Sequence, residues 1–148
     1  MLPSSPIEIL IVDDDPTVAR LIEAVIAHRF GEQIRLKTVA DPQAAREWLE
    51  SEIVDLLLTD LEMPGMNGLT LLRCAKRRNA WTQVFLITGH STLNAVVDAM
   101  DMGATDYLLK PVRETELVEA VGQAIRRLER WREAVCHGAN NVDHVGAR

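Results

Sequence analysis

Five short apolar runs punctuate the chain, and amphipathic stretches separate them. The runs are Ile7 to Val12, Ile34 to Val39, Val54 to Thr59, Gln83 to Ile87 and Thr105 to Leu109. Stretches such as IEILIV and LLLT are apolar nearly throughout, which suits strands buried on both faces. Between the runs the hydrophobic period lengthens to that of a helix. Leu21, Ile22, Val25 and Ile26 share one face of a segment from Pro16 to Phe30, with Asp15 placed to cap it and Pro16 in its first turn. Asp41-Pro42 repeats that opening for a helix to Glu50, and Asn67-Gly68 precedes one to Arg78. Ser91 is placed to cap a helix to Met102, with Gly103 to stop it, and a last helix starts near Glu114.

Strands alternating strictly with helices imply right-handed crossovers and a parallel sheet covered on both faces. The expected fold is therefore α/β, a three-layer doubly wound domain with a five-stranded parallel sheet. A length of 148 residues fits one domain with a sizeable core. The formal net charge of -6 argues against nucleic-acid binding as the main role, because phosphate contacts need a basic surface. No apolar run approaches the roughly 20 residues that span a bilayer. The start MLPSSP lacks the regions of a signal peptide, so a cytoplasmic location is expected. Cys74 and Cys136 lie far apart without a CxxC pair and read as free thiols.

Polar residues recur at one kind of position. The first strand ends in Asp13-Asp14-Asp15, the third at Asp60, the fourth at Thr88-Gly89 and the fifth at Lys110-Pro111. In a parallel sheet these ends share one edge, where open α/β folds place their sites. Carboxylates gathered there repel one another and call for a cation. Lys110 supplies one charge; Mg²⁺, which takes oxygen ligands, would supply more. A carboxylate can also act as nucleophile, and the set suits phosphoryl transfer to an Asp. Each residue taken alone has a plainer reading: a helix cap for Asp15, solvated turn acids for Asp13 and Asp14, a strand-end hydroxyl for Thr88, a surface lysine for Lys110. The agreement of four strand ends favours the joint reading.

The motifs ILIVDDDP, LLLTDLEMPGMNG, LITGHS and GATDYLLKP, in this order, resemble the receiver domain of bacterial two-component response regulators, of the chemotaxis-regulator and nitrogen-regulator kind. The resemblance covers about residues 7 to 126. It implies a flavodoxin-like strand order 2-1-3-4-5. It makes Asp60 the phosphoacceptor, fed by the phosphohistidine of a sensor histidine kinase or phosphotransfer protein. Asp14 would be a direct Mg²⁺ ligand (Mn²⁺ serving as well), Asp13 would act largely through water, and Asp60 and the backbone carbonyl of Glu62 would complete the protein ligands. Thr88 and Tyr107 match the family's switch residues and Lys110 its phosphoryl-pairing lysine. The Lys110-Pro111 bond is expected to be cis, and Glu62 and His90 stand where the family tunes dephosphorylation. Such a chain catalyses its own phosphorylation and dephosphorylation without being a conventional enzyme. Two other readings stay open: a phosphohydrolase with an aspartyl nucleophile, for which Asp60-Leu61-Glu62 has the spacing, and an interaction module independent of phosphorylation.

The expected domain plan is a short tail over 1 to 6, the receiver domain over 7 to 126, and a helical extension and tail over 127 to 148. Helical patterning runs on to about His137, with Gly138 placed to stop it and GANNVDHVGAR left as a loose tail. Val121, Ala124, Leu128, Trp131 and Val135 form a stripe that suits a coiled-coil seam or signalling linker; the alternative is a helix folded on its own domain. Homodimerisation through this helix or the 91–102 helix is a further expectation. Cys136, His137 and His144 fit no standard metal spacing. The chain reads as a stand-alone receiver or as the first part of a longer regulator.

Overall fold

The computed structural model describes residues 5–90 and 92–146, with side chains as far as residue 138. Five parallel strands, β1 (Ile7–Val12), β2 (Ile34–Val39), β3 (Leu56–Asp60), β4 (Gln83–Thr88) and β5 (Asp106–Leu109), lie in the order β2-β1-β3-β4-β5. Residues along a strand alternate between faces. Ile9, Ile11, Leu56, Leu58, Phe85 and Ile87 therefore meet α1 (Pro16–Phe30) and α5 (Glu114–Gly146). Leu10, Val12, Leu57, Val84 and Leu86 meet α2 (Pro42–Ser51), α3 (Gly68–Arg78) and α4 (Leu93–Asp101). This is the three-layer arrangement that the alternation implied, in the flavodoxin-like strand order that the resemblance implied.

Local chemistry sets the helix starts. Asp15 and Asp41 each accept the backbone N–H two residues on, at 2.9 and 3.1 Å, and a proline follows each. Asn67 caps α3 in the same way, accepting from the N–H of Leu69. The cap of α4 is Thr92, whose hydroxyl accepts from the N–H of Ala95; Ser91 lies outside the described residues. Gly103, at φ 96°, breaks the chain away after α4.

Three strands shift slightly against expectation: β4 runs one residue further, to Thr88, β5 starts one residue later, at Asp106, and β3 moves most. β3 runs from Leu56 to Asp60, so Asp60 is the last residue of the ladder, paired in register with Ile87. A two-residue hairpin, Glu62–Met63 against Met66–Asn67, follows it and turns through Gly65 at φ 78°.

Gly138 does not end the last helix, which continues to Gly146 through much of the segment expected to be a loose tail. A glycine cap works through the left-handed conformation, and among the described glycines only Gly31, Gly65 and Gly103 have positive φ. A glycine inside a helix costs only about 1 kcal/mol, so it need not end one. The apolar stripe divides. Val121, Ala124 and Leu128 are buried against the domain, Trp131 is half-buried, and Val135 is exposed. Up to Arg132 the helix folds on its own sheet; beyond it Val135, the last residue of the stripe, is exposed.

Polar contacts at the amino-terminal edge of the sheet fix this packing. Gln83 donates to the carbonyl of Ala124 at 2.7 Å and accepts from Arg127 Nε at 2.8 Å. Arg132, only 5% exposed, donates to the carbonyl of Ser5 at 2.8 Å and faces Asp55 at 3.6 Å. Trp131 meets Trp81 edge to face with centroids 6.0 Å apart.

Candidate functional site

Parallel register carries the polar strand ends to one place. Val12 aligns with Thr59, so the next residues, Asp13 and Asp60, lie side by side at the sheet edge. Thr88 aligns with Leu109, which brings Lys110 to the same edge. One carboxylate oxygen from each of Asp13, Asp14 and Asp60 falls within 4.8 Å of the others. Asp13 and Asp60 are buried, whereas Asp14 faces solvent. Two ionised carboxylates at that separation repel by roughly 3–4 kcal/mol at an effective dielectric near 20, so the group needs positive charge.

Lys110 provides part of it. Its Nζ lies 2.9 Å from Asp13 Oδ2 and donates to Asp60 Oδ2 at 3.1 Å. Burial is the largest influence on Asp60 and raises its pKa; the Asp13 charge adds to this, against the lowering effect of Lys110 and the Glu62 N–H. Burial alone would lower Lys110, but its contacts with Asp13 and Asp60 outweigh that and hold its pKa up. Asp13 Oδ1 accepts from the N–H of Asp15, while Asp13 Oδ2 is buried without an aligned donor despite the nearby ammonium. An under-satisfied buried oxygen among three carboxylates is a donor set that fits a hard divalent cation. The acidic cluster is able to hold a metal ion.

The remaining residues frame this centre. The Glu62 N–H donates to Asp60 Oδ1 at 3.3 Å, and the Glu62 side chain is exposed. Thr88 Oγ1 points into the following loop, donating to the carbonyl of His90 at 2.9 Å and accepting from its N–H at 3.2 Å. A side chain at Gly89 would meet open space. His90 is exposed, and the Lys110–Pro111 bond is cis. Tyr107 is half-buried beside the α4 side of the core, its hydroxyl enclosed without a hydrogen-bond partner among the described residues. The structure thus brings Asp13, Asp14, Asp60 and Lys110 together and leaves Thr88 and Tyr107 outside their contact.

One positioning residue has no chemistry of its own to announce it. Gly68 donates its N–H to Leu61 at 2.7 Å, and a Cβ there would overlap the backbone oxygen of Asp60. In the sequence it is visible only as the second half of Asn67-Gly68, a helix-start signal.

A sheet edge carrying buried acids, a lysine and a strand-end hydroxyl, on this topology, defines a receiver-type signalling domain. The chain belongs to the family described as response regulator receiver domain, which it matches over residues 9–122. It is 39% identical over 115 residues to the DNA-binding transcriptional regulator NtrC of Escherichia coli strain K12, covering 78% of this chain and 24% of NtrC. The response regulator protein PilR of Pseudomonas aeruginosa is 35% identical over 117 residues, 79% of this chain and 26% of PilR. This chain therefore spans about a quarter of the length of these relatives. A CheY-like receiver domain protein from Methanospirillum hungatei JF-1 superposes with TM-score 0.78 at 27% identity, over 85% of this chain and 98% of that one. A receiver domain protein from Clostridium thermocellum superposes with TM-score 0.73 at 30% identity, over 84% and 98%.

Proposed function

We propose that Asp60 accepts a phosphoryl group from the phosphohistidine of a sensor histidine kinase, in the cytoplasm, and that the chain switches a partner surface in response. The observation that carries this reading is the ion pair of buried Asp60 with Lys110, inside a group of three carboxylates. Asp60 attacks phosphorus through a carboxylate oxygen, and the donor imidazole departs. Lys110 holds the carboxylate in place beforehand and balances negative charge on the transferred group afterwards. Asp13, Asp14, Asp60 and the Glu62 carbonyl would hold Mg²⁺. That ion supplies charge neutralisation for the phosphoryl oxygens when bound. The protein's own groups thus catalyse a single transfer to itself and its later hydrolysis, which is not turnover in the usual sense.

Phosphorylation brings total charge near -2 and new acceptor oxygens to the edge. Thr88 then gives up its two bonds to His90 for a charge-assisted one, which is roughly twice as strong as a neutral bond. The loop before α4 follows. On α4 and the end of β5, Leu93, Val97, Met100 and Leu109 are exposed apolar residues, the surface on which a partner or second copy reads the change. Intact mass spectrometry with acetyl phosphate and Mg²⁺ tests the reading. One labile phosphoryl group is expected on the wild type and none on Asp60→Asn; equal incorporation by the variant would exclude Asp60 as acceptor.

A further inference from the structure

The amino-terminal edge of the sheet, opposite Asp60, carries an open cleft of about 630 Å³. That size is typical of ligand sites. Arg35, Arg78 and Arg132 line it with Glu8 and Asp55, so three guanidiniums face two carboxylates. Arg35 is paired with Glu8 at 2.6 Å. Arg132 is buried, and its nearest carboxylate, Asp55 at 3.6 Å, already accepts the N–H of Glu8 at 2.8 Å; Arg132 Nε has no partner. Arg78 has no carboxylate partner among the described residues and gives one 3.4 Å bond to the carbonyl of Ser51. The cleft therefore holds one positive charge in excess, in a chain whose net charge is -6.

One excess charge suits a carboxylate better than a phosphate dianion. The remaining wall includes Pro6 and Ile53, both exposed, which favour an apolar neighbour to that carboxylate. At the rim, Asn79 accepts the backbone N–H of Trp81, whose ring meets Trp131 edge to face. Trp81 is exposed just outside the cleft, and tryptophan and arginine are both enriched in protein-binding hot spots. We propose that this cleft binds an acidic peptide segment of a partner protein, its carboxylate on Arg78 and an adjoining apolar side chain against Ile53 and Pro6.

The probe is a capped peptide of alternating leucine and glutamate, followed by titration calorimetry and tryptophan emission on the full chain. Saturable binding is expected. Replacing glutamate by glutamine, or Arg78 by alanine, is expected to weaken it at least about tenfold, the worth of a charge-assisted hydrogen bond. Arg78→Lys, which keeps the charge without the fork, should fall between. Arg78 is exposed at the end of α3, so these variants keep the fold, checked by unchanged acetyl phosphate labelling. No saturation, equal binding of the glutamine peptide, or unchanged affinity in Arg78→Ala would each overturn the proposal. Equally tight binding of succinate would replace the peptide by a small free acid.

Discussion

The two ends of the sheet use similar residues for opposite purposes. At the carboxyl end, Asp13 and Asp60 share one lysine, an oxygen is left unsatisfied, and the Thr88 hydroxyl is bonded only to a loop. At the amino end, Gln83 joins β4 to α5, Asp55 accepts from Glu8 of β1, and Arg132 of α5 holds the Ser5 carbonyl, each by hydrogen bonds. Crowded like charge costs stability and leaves the group ready to accept a cation; spread hydrogen bonds hold a helix in place. One end is arranged for change, the other against it.

Breaking the first end should abolish chemistry and spare the fold. Asp60→Asn removes one of the repelling carboxylates, so complete loss of phosphoryl incorporation should come with an unchanged or higher melting temperature. Chelating divalent ions with EDTA should likewise abolish incorporation in the wild type, restored by added Mg²⁺. Breaking the second end should do the reverse. Arg132→Ala removes the tie to Ser5 and leaves Asp55 facing no cation, a cost of about 1–3 kcal/mol in urea unfolding, with acetyl phosphate labelling retained. Gly68→Ala tests whether the two ends are separable: its methyl would push on Asp60, lowering stability by about 1–3 kcal/mol and slowing labelling together. The smallest effect belongs to the exposed face of α4. Leu93→Ser, at a side chain 78% exposed, should change stability by no more than about 0.5 kcal/mol.

The carboxyl end was legible in the sequence because its residues interrupt apolar runs. An aspartate after LLLT or a lysine before proline stands out, and parallel topology then gathers what the linear order scatters. The amino end was largely hidden. Arg132 reads as one of several arginines on a solvated helix face, and nothing in its neighbourhood announces that Ser5 and Asp55 will enclose it. Gln83 looks like the polar edge of a strand, yet it holds the Ala124 carbonyl. Gly138 misled for a related reason: glycine permits a helix stop without compelling one. Such contacts join residues far apart in the chain, and local periodicity carries no information about them.

The bond from Arg132 to Ser5 joins positions 127 residues apart. The folded path therefore returns to where it set out, and the stretch between these residues forms a nearly closed circuit. In polymer terms the domain is a ring whose last link is one guanidinium, set beside the core packing of α5 on the sheet. Whatever polypeptide leaves beyond Arg132 departs from the same corner that the chain enters, on the side of the sheet turned away from Asp60.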